Sequence, residues 1–230
     1  MRTVAETGST NADMAELARS GASEGLWLRA ERQNAGKGRQ GRAWASPQGN
    51  LYVSTLVRVR PGEPPPATLA LVAAIALEEA VSLFLSRDAV IKWPNDLLID
   101  GAKLSGILLE RVDDAVIIGF GVNLAHHPTD TDRIATSLAA HAPAPDPEVF
   151  AETLAEIFAR WLSRWRDGIA PVRDRWLARA HPPGTALTAR LADGSSVDGL
   201  FDGLSADGAL MLRLADGTVR AIHAGDVFLL

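Results

Sequence analysis

Residues 67–85 are apolar on nearly every face, with alanine and leucine recurring too densely for a helix that keeps one side in water. A helix of that kind is stable only inside a molecule, so the rest of the chain must supply a sheet to cover it. The flanking patterns do so. Segments 2–6, 26–31, 51–57, 90–93, 97–100, 103–112 and 115–124 read as strands, with Asp100-Gly101 a tight hairpin turn and Asp113-Asp114 another turn. Ser9, Thr10 and Asn11 suit a helix N-cap ahead of a helix at 12–19. Two more helices are expected at 148–165 and 171–180. The first places Phe150, Leu154, Ile157, Phe158, Trp161 and Trp165 at helical spacing, which reads, like Trp176, as packing. The sum is a mixed sheet with helices on one side, and a polar, proline-rich loop at 125–147.

The pattern changes after His181-Pro182-Pro183-Gly184. Short alternating strands are punctuated by Asp193-Gly194, Asp207-Gly208 and Asp216-Gly217, the dipeptides that most strongly signal hairpins. The expected fold is therefore α+β: a mixed sheet packed with helices over 1–182, and a small antiparallel barrel over 183–230 that is too small for much chemistry but suited to be a lid or docking surface.

Composition narrows the function. With no cysteine among 230 residues, disulfides, thiolate metal sites and cysteine nucleophiles are excluded. No apolar run reaches membrane-spanning length and residues 1–6 lack a signal-peptide core, so a cytoplasmic enzyme or binding protein without a membrane partner is expected. A net charge of -5 argues against bulk nucleic-acid binding. Yet residues 29–42 hold Arg29, Arg32, Lys37, Arg39 and Arg42 against one anion, Glu31, a local basic stretch that suits a small anionic ligand.

Lysine is scarce: three occur against 20 arginines, and each lies in a glycine- or proline-marked segment, at Lys37, Lys92 and Lys103. An ammonium and a guanidinium are poor substitutes at a chemical site, so the three mark candidate chemistry. The loop from Gln33 to Trp44 combines glycine-exposed backbone, three cations and an aromatic face, which outlines a nucleotide phosphate loop that is neither a Walker A motif nor a dinucleotide fingerprint. The Asp100-Gly101 turn can bring Lys92, Asp96 and Lys103 together, with lysines for an anion, Asp96 for Mg²⁺ and bare backbone at Gly106. His126-His127, on a proline-rich loop, reads as a solvated turn.

Five motifs in order resemble the biotin protein ligases, or biotin-[acetyl-CoA-carboxylase] ligases. They are Ser9-Thr10-Asn11, the Gly-x-Gly-Arg-x-Gly-Arg loop from Gly36 to Arg42, Lys-Trp-Pro-Asn-Asp at 92–96, Lys-Leu-x-Gly-Ile-Leu-x-Glu at 103–110, and Gly-x-Gly-x-Asn at 119–123. The likeness spans 1–182 with the family's class II synthetase-like catalytic fold, and the terminal barrel resembles its SH3-like domain. The resemblance implies that biotin and ATP, with Mg²⁺, give biotinyl-5'-adenylate, and that biotin then passes to a lysine of a biotin carboxyl carrier protein domain; it allows a homodimer.

By the same resemblance Ser9, Thr10, Asn11 and Gln33 would line the biotin pocket, bordered by Gly106 and Leu108. Gly36, Lys37, Gly38 and Arg39 would close over biotin and its adenylate. Lys103 would bind the biotin carboxylate and then the α-phosphate, and Arg39 would retain the intermediate, making these two the catalytic pair. Trp44 would cover adenine, while Lys92, Asn95, Asp96 and Asn123 would position the nucleotide and Asp96 the metal. Many members carry arginine where this chain has Lys37, which puts a bidentate phosphate contact there in doubt. Alternatives are a lipoate protein ligase, a biotin-sensing repressor, for which no helix-turn-helix fits ahead of Ser9 and no DNA partner is expected, and a biotin-binding module without catalysis.

Overall fold

At the expected hairpin, Asp100 and Gly101 both sit at positive φ, 49° and 79°, the backbone geometry that lets two residues close a twisted strand pair. The strand entering this turn, Asp96–Ile99, ends one residue early because Asp100 is part of the turn. The computed structural model describes residues 1–129 and 134–230, so the part of the 125–147 loop at 130–133 lies outside the described residues.

The larger unit begins with β1 (Arg2–Thr7), α1 (Thr10–Arg19), β2 (Trp27–Gln33) and β3 (Leu51–Arg58). It continues through α2 (Leu69–Ser82), β4 (Val90–Lys92), β5 (Asp96–Ile99), β6 (Ala102–Val112) and β7 (Ala115–Val122), then α3 (Pro147–Arg166) and α4 (Ala170–Leu177). The sheet order is β1-β2-β3-β7-β6-β5-β4, with β1 and β2 parallel and the other pairs antiparallel. It is a mixed sheet, because α1 crosses over between the parallel β1 and β2 while the remaining neighbours run antiparallel.

Helices cover both faces, which corrects the one-sided layering expected from sequence. Strand alternation divides the side chains: Val53, Val57, Ile118 and Phe120 join α2 and α3 in the main core, while Leu28, Leu56 and Ile117 meet Met14 and Ala18 of α1 on the reverse. Met14, Leu17 and Ala18, with Ala15 beside them, mark α1 as amphipathic without fixing which face of the sheet it covers. By contrast α2 is buried nearly all round, as its composition demanded, and packs on α3, α4 and β4–β6. Trp27 stacks on Phe120 at 5.9 Å and meets Phe158 edge-on at 5.6 Å. Each such side chain contributes about 1.5–3 kcal/mol when fully removed from water.

The long α3 starts at Asp146, whose carboxylate accepts from the backbone N–H of Glu148 and Val149 at 2.8 and 3.2 Å, with Pro147 preset at the first helical position. Asp146→Ala is expected to cost about 1 kcal/mol of stability, measured as a lower urea midpoint with an unchanged slope.

The smaller unit has β8 (Ala186–Arg190), β9 (Ser196–Leu204), β10 (Leu210–Arg213), β11 (Val219–Ile222) and β12 (Asp226–Leu229), in the antiparallel order β11-β10-β9-β8-β12. Gly194, Gly208 and Gly217 all adopt φ near 85°, at 85°, 83° and 83°, so the three Asp-Gly turns fall where expected. This unit is not a loose appendage. Leu187, Phe201, Leu212 and Val227 belong to the main apolar core, and the Trp93 indole donates to the Gly208 carbonyl at 3.2 Å.

Candidate active site

On β6 and β7, Gly106 pairs with Gly121 and Leu108 with Gly119, all on the face that carries α1. The glycines are bare because neighbours occupy the space a side chain would need. A Cβ on Gly119 would come within 2.1 Å of Asn11 Oδ1, and one on Gly121 within 2.6 Å of the Trp44 ring. Above this floor opens a cleft of about 310 Å³. Its walls are the start of α1, the 33–45 loop, the start of β5 and Asp226 of β12.

One end is neutral and hydrogen-bonded. Gln33 Oε1 accepts from the Thr10 amide at 2.8 Å and from its hydroxyl at 3.1 Å. Ser54 Oγ lies 2.6 Å from Asn11 Oδ1 and 2.8 Å from Thr10 Oγ1, and Asn11 Nδ2 donates to Glu110 at 2.8 Å. Ser9 holds the N-cap backbone conformation without a side-chain capping bond, and Thr10 and Asn11 are already helical. The capping role expected of this triplet is therefore corrected: its polar groups serve the cleft wall. Ser54 and Glu110, which stand behind the lining and hold Thr10 and Asn11, were missed: Ser54 shares its strand with the hydroxyls of Tyr52 and Thr55, and nothing local singles it out.

The other end is charged. Lys103 Nζ donates to Asp96 Oδ1 at 2.6 Å, lies 5.5 Å from the Trp44 ring centroid, and shares Asp96 with Lys92, whose Nζ is 3.8 Å from Oδ2. Arg39 reaches across to Asn95 Oδ1 at 3.3 Å, the Gly225 carbonyl at 3.1 Å and Asp226 Oδ1 at 3.3 Å, while Arg42 meets Asp226 Oδ2 at 3.0 Å. The smaller unit thus closes the charged end through Asp226, beyond the lid role its size suggested. Asn95 Nδ2 donates to the Ile107 carbonyl at 2.7 Å and Asn123 Nδ2 to that of Thr136 at 3.0 Å, which fixes both amides at the cleft wall.

Most of the expected residues come together here: Ser9, Thr10, Asn11, Gln33, Lys37, Gly38, Arg39, Trp44, Asn95, Asp96, Lys103, Gly106, Leu108 and Asn123 all line the cleft. Two do not. Gly36 is packed within its loop, where a Cβ would meet Ser46 Oγ and the Trp44 carbonyl at 2.6 Å each, and it does not line the cleft. Lys92 is buried behind Asp96, outside the wall. Burial first, and then the charge of Lys92, hold the His181 imidazole below its ordinary value. Both Asp96 carboxylate oxygens face lysines and the described residues show no cluster of three potential ligands, so the protein offers magnesium no cage of its own, and an ion here would rest on substrate phosphates.

A cleft with a hydrogen-bonding neutral end, a glycine floor and four lining cations, Lys37, Arg39, Arg42 and Lys103, suits an amphiphilic small molecule joined to an anion. Comparison with known proteins agrees. Residues 6–123 match the biotin/lipoate A/B protein ligase family and residues 186–230 the biotin protein ligase C-terminal domain. The chain is 41% identical to a biotin–[acetyl-CoA-carboxylase] ligase of Paracoccus denitrificans, over 98% of each chain. It is 36% identical to one from Mycobacterium tuberculosis, covering 97% of this chain and 86% of that protein. Among solved structures, a biotin protein ligase from Aquifex aeolicus in complex with biotin and ATP superposes with a TM-score of 0.88 at 25% identity, covering 99% of this chain and 98% of that one. With the catalytic and the C-terminal matches in one chain, in this order and around this cleft, the protein belongs to the biotin/lipoate A/B protein ligase family, on its biotin protein ligase side.

Proposed function

We propose that this chain activates biotin with ATP to biotinyl-5'-adenylate and transfers biotin to a lysine of a biotin carboxyl carrier protein domain. The observation that carries the reading is the meeting of Lys103 and Arg39, 64 positions apart by their numbers, in one cleft whose far end is lined by Thr10, Asn11 and Gln33. The ureido ring of biotin would sit at that neutral end, bordered by Ser9, Gly106 and Leu108, and its valeryl carboxylate would point to Lys103. A carboxylate oxygen attacks the α-phosphorus of ATP, the bond to the β-phosphate breaks, and pyrophosphate leaves. Lys103 holds the negative charge that moves onto the α-phosphate, and Lys37, Gly38 and Arg39 close over the adenylate. Trp44 lies against the nucleotide, with Asn95, Asp96 and Asn123 beside it and Lys92 supporting the charge from behind. An acceptor amine then attacks the acyl carbon and AMP departs, with no covalent enzyme intermediate.

Magnesium is assigned to the phosphates of the nucleotide, where it would screen their charge, and not to a protein centre. We place the activity in the cytoplasm with its carboxylase partner; among the described residues no helix is long and apolar enough to cross a membrane. The division at 182/183 follows the short-strand pattern and leaves Asp226 as the smaller unit's contribution to the site.

Biotin-dependent exchange of pyrophosphate into ATP is the direct test. Exchange with biotin and none with lipoate is expected; the reverse preference would transfer the reading to lipoate ligation, and no exchange with either would reduce it to a binding module. Ser54→Ala should raise the KM for biotin roughly fivefold, about 1 kcal/mol, because Asn11 and Thr10 lose a buried partner while the charged end is untouched. A biotin titration at saturating ATP, with kcat nearly constant, checks this.

A further inference from the structure

We propose that Lys37 is a self-acylation site, the lysine of this chain that takes the acyl group of a mixed anhydride held in the cleft. The inference rests on the ligase reading above, and it starts from scarcity: primary amines on side chains occur at three positions only. Lys103 is engaged with Asp96 at 2.6 Å, and Lys92 lies buried with its Nζ 3.8 Å from the same carboxylate and 5.9 Å from the Phe228 ring. Lys37 is exposed and lines the cleft at its mouth. A short hairpin fixes it there, through the pairing of Lys37 with Ala43 and a 2.7 Å bond from the Gly38 amide to the Arg42 carbonyl.

An external acceptor lysine has to enter through the mouth that Lys37 occupies, so the two amines compete for one electrophile. The chemistry is that of the second half-reaction turned on the enzyme. Once the Nζ has given its proton to water, its lone pair attacks the acyl carbon, a C–N bond forms, and the C–O bond of the anhydride breaks with its electron pair leaving on AMP. The second amine proton follows to water. The amide product removes one of the four lining cations and leaves the acyl group tethered at the entrance. The 20 arginines cannot share this fate, since a guanidinium stays protonated and offers no lone pair. Arginine in place of lysine across the surface therefore confines side-chain acylation to the mouth.

The test supplies preformed biotinyl-5'-adenylate to the full chain without acceptor, then locates amide-linked biotin by digestion and mass spectrometry after hydroxylamine removes labile esters. Expected is a label at Lys37 at least tenfold above that at Lys92 and Lys103, with this preference lost when the same reagent meets the chain in denaturant. Equal labelling of the three in the folded chain, or an unlabelled Lys37, would overturn the proposal. Because the adenylate is supplied, the outcome does not depend on whether the chain makes it. Absence of biotin-dependent pyrophosphate exchange would instead defeat the ligase reading alone.

Discussion

Lys103→Ala is expected to slow biotin-dependent pyrophosphate exchange by about 10²–10³-fold, the loss that follows removal of one preorganised donor from a developing anion, about 2.7–4 kcal/mol. The loss should fall on kcat, since the charge Lys103 meets grows as the carboxylate attacks phosphorus. One complication is built into the site. Asp96 is 5% exposed and would keep Lys92 at 3.8 Å while losing its 2.6 Å partner, and stripping one member of a buried pair destabilises by several kcal/mol. Activity loss must therefore be separated from unfolding. Lys103→Ala with Asp96→Asn removes the carboxylate that lost its nearer partner, at the cost of taking from Lys92 the oxygen at 3.8 Å, so the double variant should recover part of the melting temperature and none of the exchange rate. Recovery of exchange in the double variant would mean that Lys103 serves the fold and not the reaction. Lys103→Arg should be only partly active, because a bulky planar fork cannot hold both Asp96 and the α-phosphate as a compact ammonium can.

Legibility in the sequence followed the range of the interactions. The turns at 100–101, 193–194, 207–208 and 216–217 are set by residues in the turn itself, and all four were readable. The α2 helix was readable because burial on every side leaves its mark in composition. The cleft lining was readable through rare residue types: Lys37, Gly38, Lys103 and Gly106 all face it, with Lys92 directly behind. What escaped depends on packing across the chain. Asp226 meets Arg39 and Arg42 from 187 and 184 positions away, and an Asp in a C-terminal strand carries no local sign of that role. Ser54 reads as a routine strand residue until α1 is laid over it with Asn11 aimed at its hydroxyl. Gly36, read as ligand backbone from its loop of cations, is packed against Ser46 and Trp44 and stands outside the cleft lining. The helix on the second face has the same origin, since Met14 and Ala18 declare a layer only once Leu28, Leu56 and Ile117 are known to face them.

Gly119→Ala should weaken biotin binding by roughly 30- to 150-fold, about 2–3 kcal/mol, while leaving ATP affinity nearly unchanged. Gly119 has no positive φ, so an alanine is not strained by its backbone; the cost is steric and falls on Asn11, whose Oδ1 would lie 2.1 Å from the new methyl. Asn11 cannot yield cheaply, because Ser54 at 2.6 Å and Glu110 at 2.8 Å hold its two ends. Displacing it breaks both bonds and pushes the amide into the neutral end of the cleft. A cycle with Asn11→Ala isolates this effect. Asn11→Ala alone also loses both bonds, but it empties the space the methyl needs, so the double variant should bind biotin no worse than Asn11→Ala by itself. Isothermal titration of the four proteins measures the coupling directly. If the penalties simply add, the Gly119 methyl acts on something other than Asn11, and the bare floor of the cleft is there to admit the ligand itself and not to seat the helix beside it.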